Sequence, residues 1–222
     1  MKRKPKARPA PTHPVGKIVD RAFGMVTRAL TDDEAATNLL IAQHREVKAL
    51  FEAIEDTPNR AAKAKLFEEV ARALVAHDAI EREIFYPACE KAMGMTKLLG
   101  ESLVEHGVIE FCLHEAAQAR KEQDFDFKCQ VLSEMVLHHV KEEEQDFFPQ
   151  VEKAFSLEQL EALGKRMQAR FLAAEKEDYR AALVANLKQV LAGTLKPKKR
   201  SKKVARTTRR APVKSGRRRK AA

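Results

Sequence analysis

Two stretches of the chain place a histidine and a glutamate one helical turn apart, just before an aromatic pair and a proline. They are HDAIEREIFYP at 77–87 and HVKEEEQDFFP at 139–149, and their matching residues are separated by the same 62 positions. Applying that offset to His44 gives His106, so four histidines obey one internal repeat. Such repetition predicts two equivalent helix pairs related by a pseudo-twofold axis.

The residues around these histidines predict that their side chains face a core. Apolar residues recur at steps of three and four on either side of each histidine, as they do on the buried face of a helix. Three of the histidines have a glutamate four residues later, on the same face of the helix. These glutamates are Glu81, Glu110 and Glu143.

Imidazoles and carboxylates buried at one height in four helices are unfavourable unless a cation accepts their lone pairs. An unpaired carboxylate in an apolar interior costs on the order of several kcal/mol. Nitrogen and carboxylate oxygen without thiolate suit iron or manganese, with zinc possible. The number of ligands is too large for one ion and suits two, with Glu81 and Glu143 as bridges. The predicted metal ligands are His44, His77, Glu81, His106, Glu110, His139 and Glu143.

Helices must carry these residues. Alanine, leucine, glutamate and lysine are abundant, and no segment alternates as a strand would, so the predicted fold class is all-α. Short connections between helices of similar length predict an up-down-up-down four-helix bundle. Its helices are predicted at about 34–55, 59–86, 96–121 and 125–148, the second and fourth ending or kinking near Pro87 and Pro149.

The bundle accounts for only part of the chain. Residues 1–30 are predicted to form a basic tail with a short helix, and residues 31–155 the bundle. An additional C-terminal helix is predicted for 156–193, starting at a capping box made by Ser156 and Gln159. Residues 194–222 are predicted to be a disordered basic tail.

The net charge of +10 is an average over unlike regions. Residues 1–17 hold six Lys/Arg and residues 196–222 hold fourteen, without an acid in either, which leaves 22 bases against 32 acids between them. The C-terminal segment resembles the basic tails of linker-histone-like and bacterial nucleoid proteins. This resemblance implies sequence-independent DNA or RNA binding through the phosphate backbone.

The bundle sequence resembles the hemerythrin-like HHE cation-binding domain proteins over about residues 31–170, through the paired His-x-x-x-Glu motifs that precede an aromatic residue and proline. The resemblance implies a four-helix bundle with an oxo- or hydroxo-bridged di-iron centre that binds or senses O2, NO or redox state, decomposes peroxide, or handles iron. Carried over by motif, it assigns the ligands to His44, His77, Glu81, His106, His139 and Glu143.

The chain departs from the oxygen-carrying hemerythrins at two positions. They have a second histidine one turn after the third-helix ligand, where this chain has Glu110, with His114 as a possible substitute. They also use an aspartate five residues after the fourth-helix histidine, a spacing that selects Glu144, whereas the internal repeat selects Glu143. These differences count against reversible oxygen carriage and leave peroxide or oxidase chemistry open. The Glu-x-x-His tetrad of ferritin-like di-iron bundles does not occur.

Three classes of function therefore stay open: a sensor or binder of small ligands, a nucleic-acid-binding protein with a metal-stabilised scaffold, and a peroxide-decomposing enzyme or oxidase. Three cysteines without a CxxC pair predict a reducing, cytoplasmic location, with nucleoid association if the tail binds DNA. The sequence has no apolar run of membrane-spanning length, so a membrane partner is not expected.

Overall fold

The computed structural model describes residues 35–119 and 123–193, and the predicted tails and the short helix at 15–30 lie outside these ranges. The described residues contain helices and no strand, which confirms the all-α prediction. None of their helices is long and apolar enough to span a bilayer. The helices are α1 Ala36–Asp56, α2 Arg60–Ile80, α3 Tyr86–Met93, α4 Lys97–Ala119, α5 Phe125–Glu142, α6 Phe148–Ala154, α7 Leu157–Ala174 and α8 Tyr179–Leu191.

Two π-helical turns replace the expected helix ends near the prolines. Glu81–Phe85 joins α2 to α3, and Glu143–Phe147 joins α5 to α6, so each rod continues past its proline. Pro87 and Pro149 lie in the first turn of the continuing helices, where a missing backbone N–H disturbs helical hydrogen bonding least. Such π turns are frequent at functional sites, and each one here begins at a predicted bridging glutamate.

The buried apolar residues form two clusters, one towards each end of the bundle. The first cluster surrounds Phe85 and Phe147, and the second surrounds Phe67 and Phe125. Along the chain, α1 and α4 run from the first cluster to the second, and α2 and α5 run back. The residues that mark these directions are Leu40 and Val47 in α1, Val75 and Ile80 in α2, Leu103 and Ile109 in α4, and Val136 in α5 with Phe147 in the π turn that continues it. This alternation confirms the up-down-up-down topology.

The C-terminal region beyond the bundle forms two helices, not one continuous helix. The capping box at Ser156 starts α7 as predicted, with the Ser156 N–H donating to Gln159 at 2.8 Å. The rod then breaks in the polar segment 175–178, where Asp178 caps α8. The break lets α7 pack on the first cluster and α8 on the second, so that each helix covers one end of the bundle.

Candidate metal centre

The four histidines of the repeat form a buried polar layer between the two apolar clusters. In each long helix the histidine lies between a residue of the first cluster and a residue of the second, as His44 lies between Leu40 and Val47. All four side chains are buried. The antiparallel helices therefore bring the imidazoles to one height, as the repeat predicted.

The outer nitrogen of every ring has an oxygen acceptor. The Nδ1 atoms of His77 and His106 donate to Gln43 Oε1 and Asp78 Oδ1, each at 2.8 Å. Those of His44 and His139 donate to Glu144 Oε1 at 2.9 Å and Glu105 Oε2 at 2.8 Å. Because a neutral imidazole carries one proton, these bonds place it on Nδ1 and leave the Nε2 lone pair pointing inward.

The inward nitrogens converge in two pairs. His44 Nε2 and His77 Nε2 are 3.3 Å apart, and His106 Nε2 and His139 Nε2 are 3.1 Å apart. Two unprotonated nitrogens at this distance repel each other. Two nitrogens that bind the same ion, each at about 2.1 Å, lie at a similar distance from each other. The geometry thus matches two ions, one at each histidine pair.

Two carboxylates connect the histidine pairs. Glu81 Oε2 lies 3.1 Å from both His77 Nε2 and His106 Nε2. Glu143 Oε2 lies 3.5 Å from both His44 Nε2 and His139 Nε2. Each glutamate therefore has one oxygen between a nitrogen of one pair and a nitrogen of the other, which is the position of a bridging ligand.

Three of the four oxygens of these carboxylates lack the hydrogen-bond donors that a buried carboxylate needs. Both oxygens of Glu81 and Oε2 of Glu143 are buried without a hydrogen-bond partner. Within the described residues, Glu81 belongs to both buried groups of side chains able to hold an ion, one with His44, His77 and Glu143, the other with His106 and His139. Since desolvated carboxylates demand compensation, these residues fit a pair of multivalent cations.

Glu110 lies apart from Glu81 and Glu143, and the direction of its helix explains why. In α2 and α5 the residue four after the histidine lies on the side of the first cluster. Because α4 runs the opposite way, Glu110 lies on the side of the second cluster, where Arg82 Nη1 donates to its Oε1 at 3.2 Å. Glu110 is therefore absent from both buried groups of possible ligands in the described residues, and its role as a metal ligand stays a prediction. His114, the other candidate, is half-buried and lies outside both groups.

Glu143 and Glu144, between which the sequence left the fourth-helix ligand open, occupy different positions. Glu143 is buried within one of the two groups, whereas Glu144 is half-exposed and binds the outer nitrogen of His44. His138 is exposed and lies near Glu142, outside the buried histidine layer.

A small cavity lies on the side of the histidines opposite the bridging carboxylates. Its volume is about 30 Å³, enough for a water-sized or diatomic molecule. All four histidines contribute to its wall, and Gln43, Asp78 and Glu110 are its other polar lining residues. The remaining wall is mostly apolar and consists of Val47, Leu74, Val75, Ile109, Leu113, Val136 and Val140.

Burial and neighbouring charges shift the pKa values of the ligands in both directions. Burial alone would lower the pKa of His106, but hydrogen bonds to Asp78 and Glu81 raise it well above its usual range. Burial lowers the pKa of His44 and takes that of His139 to about 4, so both rings are neutral at pH 7. Burial alone would raise the pKa of Glu81, but His77 and His106 outweigh it and hold that pKa well below its usual range. Burial and the nearby Glu81 raise the pKa of Glu143 well above its usual range. Negative charge is thus crowded in a site where a cation would relieve it.

Several supporting residues were not identified from the sequence. Gln43 and Glu105 are related by the same offset of 62, each one residue before a repeat histidine, so the repeat itself could have revealed them. Tyr86 donates its hydroxyl to Glu143 Oε1 at 2.8 Å. Asn186 in α8 donates to Asp78 Oδ2 at 3.0 Å. No sequence signal marks Asn186, because α8 lies outside the repeat.

Comparison with known proteins gives one family. The sequence profile described as hemerythrin HHE cation binding domain matches residues 35–151. The fold is similar to the crystal structure of a hemerythrin HHE cation binding domain-containing protein from Mycobacterium kansasii, with 27% identity and a TM-score of 0.60, covering 69% of this chain and 99% of that one. No curated protein sequence matches the chain. The match spans all the residues of the histidine layer, and the chain belongs to the hemerythrin HHE cation-binding domain family.

Proposed function

We propose that the centre holds two iron ions, one at each histidine pair, with Glu81 and Glu143 shared between them. One observation carries the proposal: the inward imidazole nitrogens lie 3.3 and 3.1 Å apart, beside buried carboxylate oxygens that have no hydrogen-bond partner. Imidazole and carboxylate donors without thiolate favour iron, with manganese or zinc as weaker candidates. Such a pair of ions supplies redox chemistry and a coordination position for a small ligand.

The cavity supports a role in handling small ligands. Because the bridging carboxylates occupy the side of the first cluster, the space next to all four histidines is on the opposite side. Its volume of about 30 Å³ suits O2, peroxide or NO and excludes a larger substrate. We infer that the protein binds, senses or reacts with a molecule of this size.

The protein's own residues would keep the centre dry and fixed. The carboxylate and amide acceptors on the outer nitrogens orient the rings, as such partners do for metal-binding histidines. Burial raises the pKa of Tyr86 well above its usual range, so its hydroxyl keeps its proton and holds Glu143 in place. The aromatic residues of the first cluster exclude water from the carboxylates.

Metal content and absorption test the two-ion proposal. Protein from iron-supplied cells should contain about two irons per chain and show ligand-to-metal absorption. The double variant His77→Ala with Glu81→Ala removes one nitrogen and one shared carboxylate, so it should lose at least one ion. Equal iron content in both proteins would contradict the assignment.

Peroxide consumption distinguishes a sensor from an enzyme. If the protein decomposes peroxide, the iron-loaded chain removes it much faster than the same amount of free iron, and the double variant does not. If it senses or binds a small ligand, NO or azide changes the absorption of the loaded chain while peroxide is lost no faster than with free iron. Absence of both responses would contradict a small-ligand role.

A second function is proposed for the basic C-terminal segment. Its fourteen Lys/Arg without an acid support sequence-independent nucleic-acid binding by counterion release. Full-length chain should bind DNA of unrelated sequences alike, with affinity that falls steeply with salt. A chain ending at residue 193 should lose this binding. Unchanged binding would show that the basic C-terminal segment is not responsible for it.

A further inference from the structure

Asn186 connects α8 to a ligand of the proposed centre. Its side chain is buried, and its amide donates to Asp78 Oδ2 at 3.0 Å. The other oxygen of Asp78 accepts from His106 Nδ1 at 2.8 Å. The same amide also hydrogen-bonds to Glu110. The orientation of the His106 ring therefore depends on a carboxylate that is itself held from outside the four-helix bundle.

The contact between a repeat histidine and the buried Asp78 carboxylate has no equivalent in the other half of the repeat. The residue equivalent to Asp78 is Val140, and the residue equivalent to Arg82 is Glu144. In the other half, the outer nitrogen of His44 rests on the half-exposed Glu144. His106 is thus supported by a buried network, whereas His44, its equivalent in the repeat, is supported by a residue near solvent.

Packing alone does not explain an asparagine at this position. Leu183 and Leu187, one turn before and one residue after, place α8 on the second cluster. At the start of the helix the Tyr179 hydroxyl donates to Glu68 at 2.7 Å. A buried amide on this apolar face is unfavourable unless it is hydrogen-bonded, and Asp78 supplies an acceptor.

We propose that Asn186 is a positioning residue for the ion held by His106 and His139, and that α8 is part of the metal centre. Arg82 Nη1 lies 3.7 Å from Asp78 Oδ2, too far for a hydrogen bond. Loss of the Asn186 amide would free the carboxylate to turn and would release the His106 ring with it. The inference rests on the proposed two-ion function.

Titration of the metal-free full-length chain with Co²⁺, followed by visible absorption, tests the inference. Wild type should bind two ions. Asn186→Leu keeps the side-chain volume and should weaken one of the two sites by about 10- to 100-fold, as loss of a partner to a metal-binding histidine typically does. Leu183→Ala is the matched control, because it loosens α8 without touching Asp78. It should lower the melting temperature and leave both Co²⁺ affinities unchanged.

Two further variants identify the affected ion and the cause. In a His139→Ala background, where the His44 and His77 ion remains, Asn186→Leu should have no effect. Asn186→Asp should weaken the same site, and the exchange Asp78→Asn with Asn186→Asp should restore it, because a donor and an acceptor again face each other.

The outcomes test the role of Asn186 and the two-ion proposal separately. Unchanged affinity in Asn186→Leu, or the same selective loss in Leu183→Ala, would overturn the role of Asn186. No recovery in the exchanged pair would also overturn it. Fewer than two ions in the wild type would overturn the two-ion proposal itself, and is therefore distinguishable from a failure of Asn186.

Discussion

Tyr86 and Phe148 occupy equivalent positions of the internal repeat, but Tyr86 alone carries a hydroxyl, which donates to Glu143 at 2.8 Å and lies 2.8 Å from His106 Nε2. Phe148 instead stacks on His44 with ring centroids 5.9 Å apart. The backbone is nearly symmetric, whereas the side chains next to the two histidine pairs are not. The proposed ions would therefore differ in their surroundings.

Removing the Tyr86 hydroxyl should destabilise the metal-free protein. Tyr86→Phe leaves a buried oxygen of Glu143 without its donor, so we expect a loss of about 1–3 kcal/mol in the free energy of unfolding, measured by urea denaturation. Tyr179→Phe is the control, since its hydroxyl bonds the half-exposed Glu68, which water can solvate. Equal losses in the two variants would show that Glu143 does not need this bond.

Neutralising Glu143 should have opposite effects with and without metal. Because burial and Glu81 raise the pKa of Glu143 well above its usual range, folding the metal-free chain at pH 7 must either protonate this carboxylate or bury its charge. Glu143→Gln avoids that cost and keeps an acceptor for Tyr86, so the metal-free protein should gain about 1–3 kcal/mol in the free energy of unfolding. The increase in melting temperature on adding iron should shrink, because a shared ligand is lost. A variant that is less stable without metal, or equally stabilised by iron, would contradict the bridging role.

Filling the cavity should block small ligands and leave metal in place. Val136→Phe adds a ring to the cavity wall, at an overpacking cost of about 1–3 kcal/mol, and does not change a ligand residue. We expect unchanged iron content and at least about a tenfold loss of azide or NO affinity, since a tenfold change corresponds to about 1.4 kcal/mol. Val131→Phe, at an exposed position of the same helix, should bind like the wild type. Retained binding in Val136→Phe would place the ligand elsewhere.

Arg82 should be among the most sensitive buried residues. Its guanidinium is 2% exposed and lies between Asp78 and Glu110. Arg82→Met would leave two carboxylates without a cation and should cost about 3–5 kcal/mol. Arg170→Met, which breaks a partly exposed pair with Glu83, should cost about 1 kcal/mol or less. Adding Glu110→Gln to Arg82→Met should recover part of the loss. Denaturation of the metal-free variants gives these values, and a small cost for Arg82→Met would contradict the network.

The cysteines should differ in reactivity. Burial raises the pKa of the Cys129 thiol to about 11 and raises that of Cys89 still further. Because the thiolate is the reactive form, iodoacetamide at pH 8 should modify the half-buried Cys112 first and the other two only after unfolding. Mass spectrometry of the native protein checks this order. Early modification of Cys89 would show that the first cluster opens readily.

The repeat predicted the fold and most of the histidine layer because both depend on spacing along single helices. Four histidines at one offset are enough to place four helices around a common axis, and the steps of three and four select the buried face. The helix boundaries were accurate to a few residues, except at Pro87 and Pro149. At these two prolines the chain continues as a helix because the preceding turn widens into a π turn. The sequence carries no signal for that widening.

The differences between prediction and structure have a common origin in relations between helices. Glu110 has the right spacing from His106, but spacing along a helix does not say towards which end of the bundle a residue lies. Asp78 and Asn186 come together from segments more than 100 residues apart in the sequence. The break at 175–178 separates two helices that cover opposite ends of the bundle. The segments on both sides of it have helical sequences, so the sequence alone predicts one continuous helix.

The antiparallel directions of the helices restrict the positions at which a third shared carboxylate could be introduced. On α1 and α4, a residue that reaches the same side as Glu81 must come one turn before its histidine, at Leu40 or Ser102. Leu40 is fully buried in the first cluster, and the Ser102 hydroxyl is occupied with the Leu98 carbonyl at 3.0 Å. A more acidic centre, evolved or designed, could therefore start from a substitution at Leu40 or at Ser102. The substitution at Ser102 would require the smaller rearrangement.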